Sequence, residues 1–200
     1  MKKGIRTSML GVGVLGVGIS LGVAGLLAQS GTPAKPAAAS ASADAAKIAR
    51  GKYLMTVGAC NDCHSPKLDP QQHPDPKRPF SGRPQTTQAP SQNPNEIHAS
   101  LDLTAWSGPW GVSYGANLSP DPETGLKRRY TEASFIKTLR TGKKPEGEDL
   151  LPPMPWELYK VFSDEDIKSI WAYLQTIPAI KNNVKAAGPA AKPAAVPAKK

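Results

Sequence analysis

The sequence predicts a small all-α domain with long irregular loops. Two observations carry that expectation. Three stretches place apolar residues at helical spacing: Ile48, Gly51 and Met55; Phe135, Ile136 and Leu139; and Ile167, Ile170, Trp171 and Leu174. Between the first and second, residues 65–130 hold many prolines and glycines and keep no sustained period of either kind. The chain is organised around a short motif at the end of the first stretch, Cys60-Asn61-Asp62-Cys63-His64.

Composition divides the 200 residues into four parts. Residues 1–30 read as an export signal or an N-terminal membrane anchor, with Lys2, Lys3 and Arg6 ahead of an apolar run over 9–28. That run is long enough to span a bilayer, although six glycines dilute it. Residues 31–43 are an Ala/Pro/Ser-rich linker, 44–180 the folded domain, and 181–200 an Ala/Pro/Lys tail expected to be disordered. The net charge of +9 belongs to the ends, because 44–180 holds 16 Lys/Arg and 16 Asp/Glu. A basic groove with interleaved aromatics is absent, which argues against a nucleic-acid partner. The expected location is the periplasm or the outer face of the cytoplasmic membrane, with a membrane tether through 9–28 as the alternative to cleavage.

Each element has a local reason. Asp44 is placed to cap the first helix, and Gly51 inside it predicts a close helix–helix approach that compensates its poor propensity. Thr131 caps a helix that Gly142 ends. Trp156 to Phe162 suit a short helix, and Ser163, followed by Asp164, Glu165 and Asp166, opens the last one. The aromatic face of that helix, Trp171 with Tyr173, is expected to cross the first helix at Gly51.

Cys60 and Cys63, three residues apart, put two thiols on one helical face, and His64 follows at once; this is the spacing of covalent haem c attachment. A redox Cys-x-x-Cys would follow a strand, and nothing before Cys60 alternates like one. A zinc site needs about four ligands, and His73 and His98 are the only other imidazoles. A local disulfide gives His64 no role. Haem also gives the long 65–130 loop something to pack on. A backbone carbonyl within 71–83 is expected to accept the His64 ring N–H. Trp106, Trp110 and Tyr114 fill space under the loop, line the haem edge or give an indole N–H to a propionate, and Arg83, Arg128 and Arg129 could pair with propionates but read mainly as a solvated face. Met154 sits in Leu151-Pro152-Pro153-Met154-Pro155-Trp156, where prolines hold the backbone stiff and extended. By elimination it is the candidate sixth iron ligand, with His98 and His73 as alternatives.

These features together resemble the class I c-type cytochromes. The stretch 117–125 (Asn-Leu-Ser-Pro-Asp-Pro-Glu-Thr-Gly), 139–142 (Leu-Arg-Thr-Gly) and 151–156 are more narrowly similar to bacterial monohaem periplasmic cytochromes c, including subunits that accompany dehydrogenases. The resemblance spans roughly 45–184. It implies a cytochrome c-like helical domain around one haem, thioether bonds from Cys60 and Cys63, His64 as proximal and Met154 as distal ligand. It further implies a one-electron carrier, not an enzyme. The donor would be a dehydrogenase or quinol oxidase complex, and the acceptor a terminal oxidase or another cytochrome. A five-coordinate haem binding a diatomic gas or reducing peroxide is the alternative reading.

Overall fold

A computed structural model describes residues 37–184. The export segment expected over 1–30, the first part of the 31–43 linker and the tail from 185 lie outside the described residues. Six helices and three strands follow in order: α1 (Ala37–Val57), α2 (Cys60–His64), β1 (His98–Ala99), β2 (Ala105–Gly108), β3 (Gly111–Tyr114), α3 (Leu126–Arg129), α4 (Glu132–Thr141), α5 (Trp156–Tyr159) and α6 (Asp164–Leu174). Among the described residues no helix is long and apolar enough to cross a membrane.

Helix α1 begins at Ala37, well before Asp44, so Asp44 is not its cap. The alanines counted as linker have the highest helix propensity and extend the helix backwards. Helix α4 begins and ends, and α6 begins, as the sequence implies. The Thr131 hydroxyl accepts from the Ser134 amide, Gly142 closes α4 in the left-handed conformation, and Ser163 Oγ accepts from the Asp166 amide.

The core forms where α1, α4 and α6 meet. Leu54, Phe135, Leu139, Ile167, Ile170 and Leu174 are buried there in one cluster. Helices α1 and α6 cross at Gly51, where a Cβ would overlap the Ser169 carbonyl and crowd Tyr173. Tyr173 therefore occupies the expected crossing, whereas Trp171 turns to Phe135, with ring centroids 5.5 Å apart. An Arg50–Asp166 ion pair at 2.9 Å closes the edge of the same crossing.

The all-α expectation is overturned by a three-stranded antiparallel sheet, ordered β1-β2-β3, inside the stretch read as structureless. Its strands are two and four residues long, too short for a period of two to register. The β2–β3 hairpin turns on Pro109 and Trp110, between the paired Gly108 and Gly111. Gly111 has φ 93°, a backbone region that costs glycine nothing. The β1–β2 connection is held by Asp102, whose carboxylate accepts from the hydroxyls of Thr87, Ser100 and Thr104 and from the Thr104 amide.

Two outcomes are expected. Gly51→Ala gains helix propensity but forces two backbones apart, so denaturant unfolding should show a net loss of about 1–3 kcal/mol; a stabilised variant would contradict the contact. Partial burial pushes the Asp102 carboxyl up, but its hydrogen bonds outweigh burial and leave it below the ordinary carboxylate range. Its contribution is therefore complete above the unfolded value of about 4 and lost as pH falls through the lower folded value. Asp102→Asn should cost about 1–3 kcal/mol at neutral pH and flatten the acid limb of the stability–pH profile.

Candidate functional site

The motif sits at a break in the helix. Helix α1 ends as the Gly58 amide donates to Leu54 O at 2.8 Å, and Ala59 takes a left-handed φ of 54°. That single residue redirects the chain, and α2 restarts at Cys60 as a separate turn. Lys67 Nζ donates to the carbonyls of Asp62 and Ser65 at 2.6 and 2.9 Å and so covers the open end of the turn. The Tyr159 hydroxyl donates to Gly58 O, tying α5 to the break.

His64 Nδ1 lies 2.9 Å from the carbonyl oxygen of Ala116. A carbonyl only accepts, so Nδ1 carries the proton and Nε2 keeps its lone pair. The partner expected within 71–83 is thus supplied by the segment after β3. The 71–83 segment does grip His64, but by its backbone: the Gly82 amide donates to His64 O at 2.8 Å. Burial holds the His64 ring below the ordinary histidine range, so the imidazole is neutral. Gly115 packs against the Cys63 carbonyl so closely that a Cβ there would overlap it. No short-range pattern marks Gly115 or Ala116 in advance, because their role belongs to the backbone.

Met154 is carried by the loop between α4 and α5. Its amide donates to Leu151 O at 3.2 Å, and the Ser113 hydroxyl of β3 donates to Pro152 O. The Trp156 ring lies against Gly142, where any side chain would collide with it. Strand β3 thereby fixes the Met154 loop at one residue, while the chain just beyond it fixes His64.

The two segments border one cavity of about 750 Å³, whose walls include Cys60, Cys63, His64, Met154, Met55 and Trp106. This volume falls in the range of cofactor pockets, about 300–1,000 Å³. Met55, on the helix that leads into Cys60, is buried and lines the cavity as well. His98 is 2.9 Å from Glu96 and His73 is 2.8 Å from Asp69, and neither lines the cavity. The indole N–H groups, propionate partners in one of the sequence readings, are already engaged: Trp106 Nε1 donates to Leu103 O at 2.9 Å and Trp110 Nε1 to Ser113 Oγ at 3.3 Å.

Both cysteines are free thiols, and burial pushes them up, Cys60 to about 12. A redox Cys-x-x-Cys depends on a depressed thiol, and burial here moves both thiols the other way. Among the described residues no three His, Cys, Asp or Glu side chains gather to hold a metal ion. Arg83, read from sequence as solvated, is buried, and its Nε and Nη1 have no hydrogen-bond partner.

No protein-family model matches the chain. It is 33% identical over 143 residues to the gluconate 2-dehydrogenase cytochrome c subunit of Pantoea cypripedii, covering 72% of this chain and 26% of that one. It is 32% identical over 152 residues to the fructose dehydrogenase cytochrome subunit of Gluconobacter japonicus, covering 76% and 26%. The chain is related to the c-type cytochromes. A third relative, the cytochrome c subunit of the quinone alcohol dehydrogenase of Gluconobacter oxydans, is 31% identical over 131 residues, 66% of this chain and 21% of that one. The chain spans about a quarter of the length of these cytochrome subunits. The cavity suits the prosthetic group of a c-type cytochrome on two counts. It has two thiols for attachment and a neutral imidazole with one nitrogen unengaged.

Proposed function

We propose that the chain binds one haem c through Cys60 and Cys63, with His64 and Met154 as axial ligands, and works as a one-electron carrier. The observation that carries this reading is the convergence of those four side chains on one cavity, with the His64 tautomer set by Ala116. Haem bound there supplies an Fe(III)/Fe(II) couple. The residues do the rest. Cys60 and Cys63 tether it, and a single pair of cysteines in the whole sequence fits a single attachment. His64 presents Nε2 in a fixed orientation, and the Ala116 carbonyl strengthens it as a donor by taking the Nδ1 proton as a hydrogen bond. The loop anchored by Ser113 holds Met154, whose thioether favours a high potential.

With His64 and Met154 both holding the iron, no position would be open to substrate, which favours a carrier over an enzyme. The relatives' names favour a dehydrogenase as electron donor and membership of its complex; a quinol oxidase complex is the other donor proposed. The acceptor would be a terminal oxidase or a second cytochrome. The exported location, with cleavage or membrane tethering of the 9–28 run, belongs to the same proposal.

Replacing the ligand tests it. Met154→Ala should lower the reduction potential by more than about 59 mV, a tenfold change in a one-electron equilibrium, and let the ferrous protein bind carbon monoxide. Met55→Ala should do neither. A wild-type potential in Met154→Ala would remove Met154 from the iron, and a response in Met55→Ala alone would assign the ligand to α1.

A further inference from the structure

Helix α3 is a single turn with two faces. Leu126 is buried in the cavity wall, and Tyr130, one turn on, lines the same wall and donates its amide to Leu126 O at 3.0 Å. The three residues between them, Lys127, Arg128 and Arg129, are exposed. Arg128 and Arg129 also border the cavity, so they stand at its opening. Three consecutive cations occur nowhere else in the sequence.

Their charge is left uncompensated. The 143–149 loop, which also borders the cavity, engages its acidic residues with its own lysines: Lys143 with Asp149 at 2.5 Å and Lys144 with Glu148 at 2.8 Å. Glu123, just ahead of α3, pairs with Lys181. Among the described residues none of Lys127, Arg128 and Arg129 forms an ion pair. Of the acidic residues on the cavity border only Glu146 has no such pair, so three cations face one unpaired carboxylate.

The ledge they form is preorganised. The Asp121 carboxylate accepts from the Glu123 and Thr124 amides and from the Thr124 hydroxyl, and the Leu126 amide donates to Ser119 O at 2.8 Å. A Cβ at Gly125 would overlap that same Ser119 carbonyl. Residues 178–184 run back from α6 as a strap along this turn. Asn117 Nδ2 donates to Ile180 O at 2.8 Å, and the Asn182 amide donates to Thr124 Oγ1 at 2.9 Å. Val184 reaches the cavity wall, and the sequence beyond it adds Lys185, Lys192, Lys199 and Lys200 with no acidic residue.

Residues 44–180 are neutral as a whole, so the positive charge at the opening is local. A local charge orients an approaching partner, and a ledge held rigid beforehand loses little freedom when the partner binds. We infer that Lys127, Arg128 and Arg129 dock a redox protein whose own contact face is acidic, and bring that face over the cavity opening. The inference rests on the haem reading above and adds the chemistry of the partner. An anionic membrane fits less well, because a bilayer pressed on the ledge would cover the opening through which the electron is exchanged.

The experiment uses the full haem-loaded protein. Reduced plant-type ferredoxin, an acidic protein, donates one electron to the ferric iron, and binding of its oxidised form is read separately by calorimetry. The triple substitution Lys127→Gln, Arg128→Gln and Arg129→Gln should weaken binding and slow reduction about tenfold at low ionic strength, at unaltered potential and visible spectrum. The difference should vanish near 1 M salt, where the screening length is about 3 Å. Oxidation of the ferrous protein by tris(phenanthroline)cobalt(III), a cation, should instead be faster in the variant. Lys47→Gln, Lys52→Gln and Lys77→Gln together remove the same charge from residues that do not border the cavity, and should leave every reading near wild type. An equal loss in that control would reduce the effect to net charge and overturn the inference. Vesicles of anionic phosphatidylglycerol that sediment with wild type but not with the ledge variant, while ferredoxin binds both alike, would overturn it in favour of a membrane contact. If the triple variant does not fold, Arg128→Gln and Arg129→Gln, each giving part of the loss, decide the matter. A wild-type protein without covalent haem would instead overturn the parent reading, an outcome visible before any variant is made.

Discussion

Five residues at the end of the hairpin and just beyond it, Ser113 to Asn117, touch every part of the site. Ser113 holds the Pro152 carbonyl of the methionine loop, Tyr114 lies beneath Arg83, Gly115 abuts Cys63, Ala116 orients His64, and Asn117 receives the C-terminal strap. Most of these contacts use backbone atoms or the smallest side chains. A segment that packs between the cysteine turn and the Met154 loop has no room for more, as the overlap of a Gly115 Cβ with the Cys63 carbonyl makes plain. The sheet exists to deliver this segment: β2 pairs along the length of β3, and the Gly115 amide continues the pairing to Thr104 O at 2.8 Å.

This arrangement separates two tasks that a helical bundle alone would have to combine. The crossing of α1 and α6 at Gly51 and the cluster around Leu139 and Ile170 supply the apolar burial that keeps the domain folded. The hairpin and the residues just beyond it supply direction, through hydrogen bonds that fix a tautomer and a loop. On the proposed reading the first set holds the prosthetic group in place and the second tunes it. Electron transfer needs both, since a carrier gains from a site that changes little between oxidation states.

The sequence made the helices legible because their stripes, caps and stops are local. Thr131, Gly142 and Ser163 each act within one turn of where they stand. The cysteine and histidine motif was legible for the same reason, and the stiff proline frame singled out Met154. What escaped was non-local. The sheet escaped because its strands are shorter than one reliable period, although Gly108-Pro109-Trp110-Gly111 is a turn that could have announced it. Ala116 escaped because a carbonyl carries no residue signature. Arg83 was misjudged because its burial comes from contacts distant in sequence, such as the Tyr114 ring under its guanidinium. Asp44 lost its role to the preceding alanines, whose composition suits a helix as well as a linker.

The visible spectrum of the exported protein, ferric and ferrous, with carbon monoxide added to the reduced form, tests the central claim most directly. The account predicts a haem c spectrum with a methionine-to-ferric-iron charge-transfer band and no change on adding the gas. Prompt carbon monoxide binding by the unaltered protein would contradict a closed His64/Met154 site and point to a haem open to diatomic ligands or peroxide.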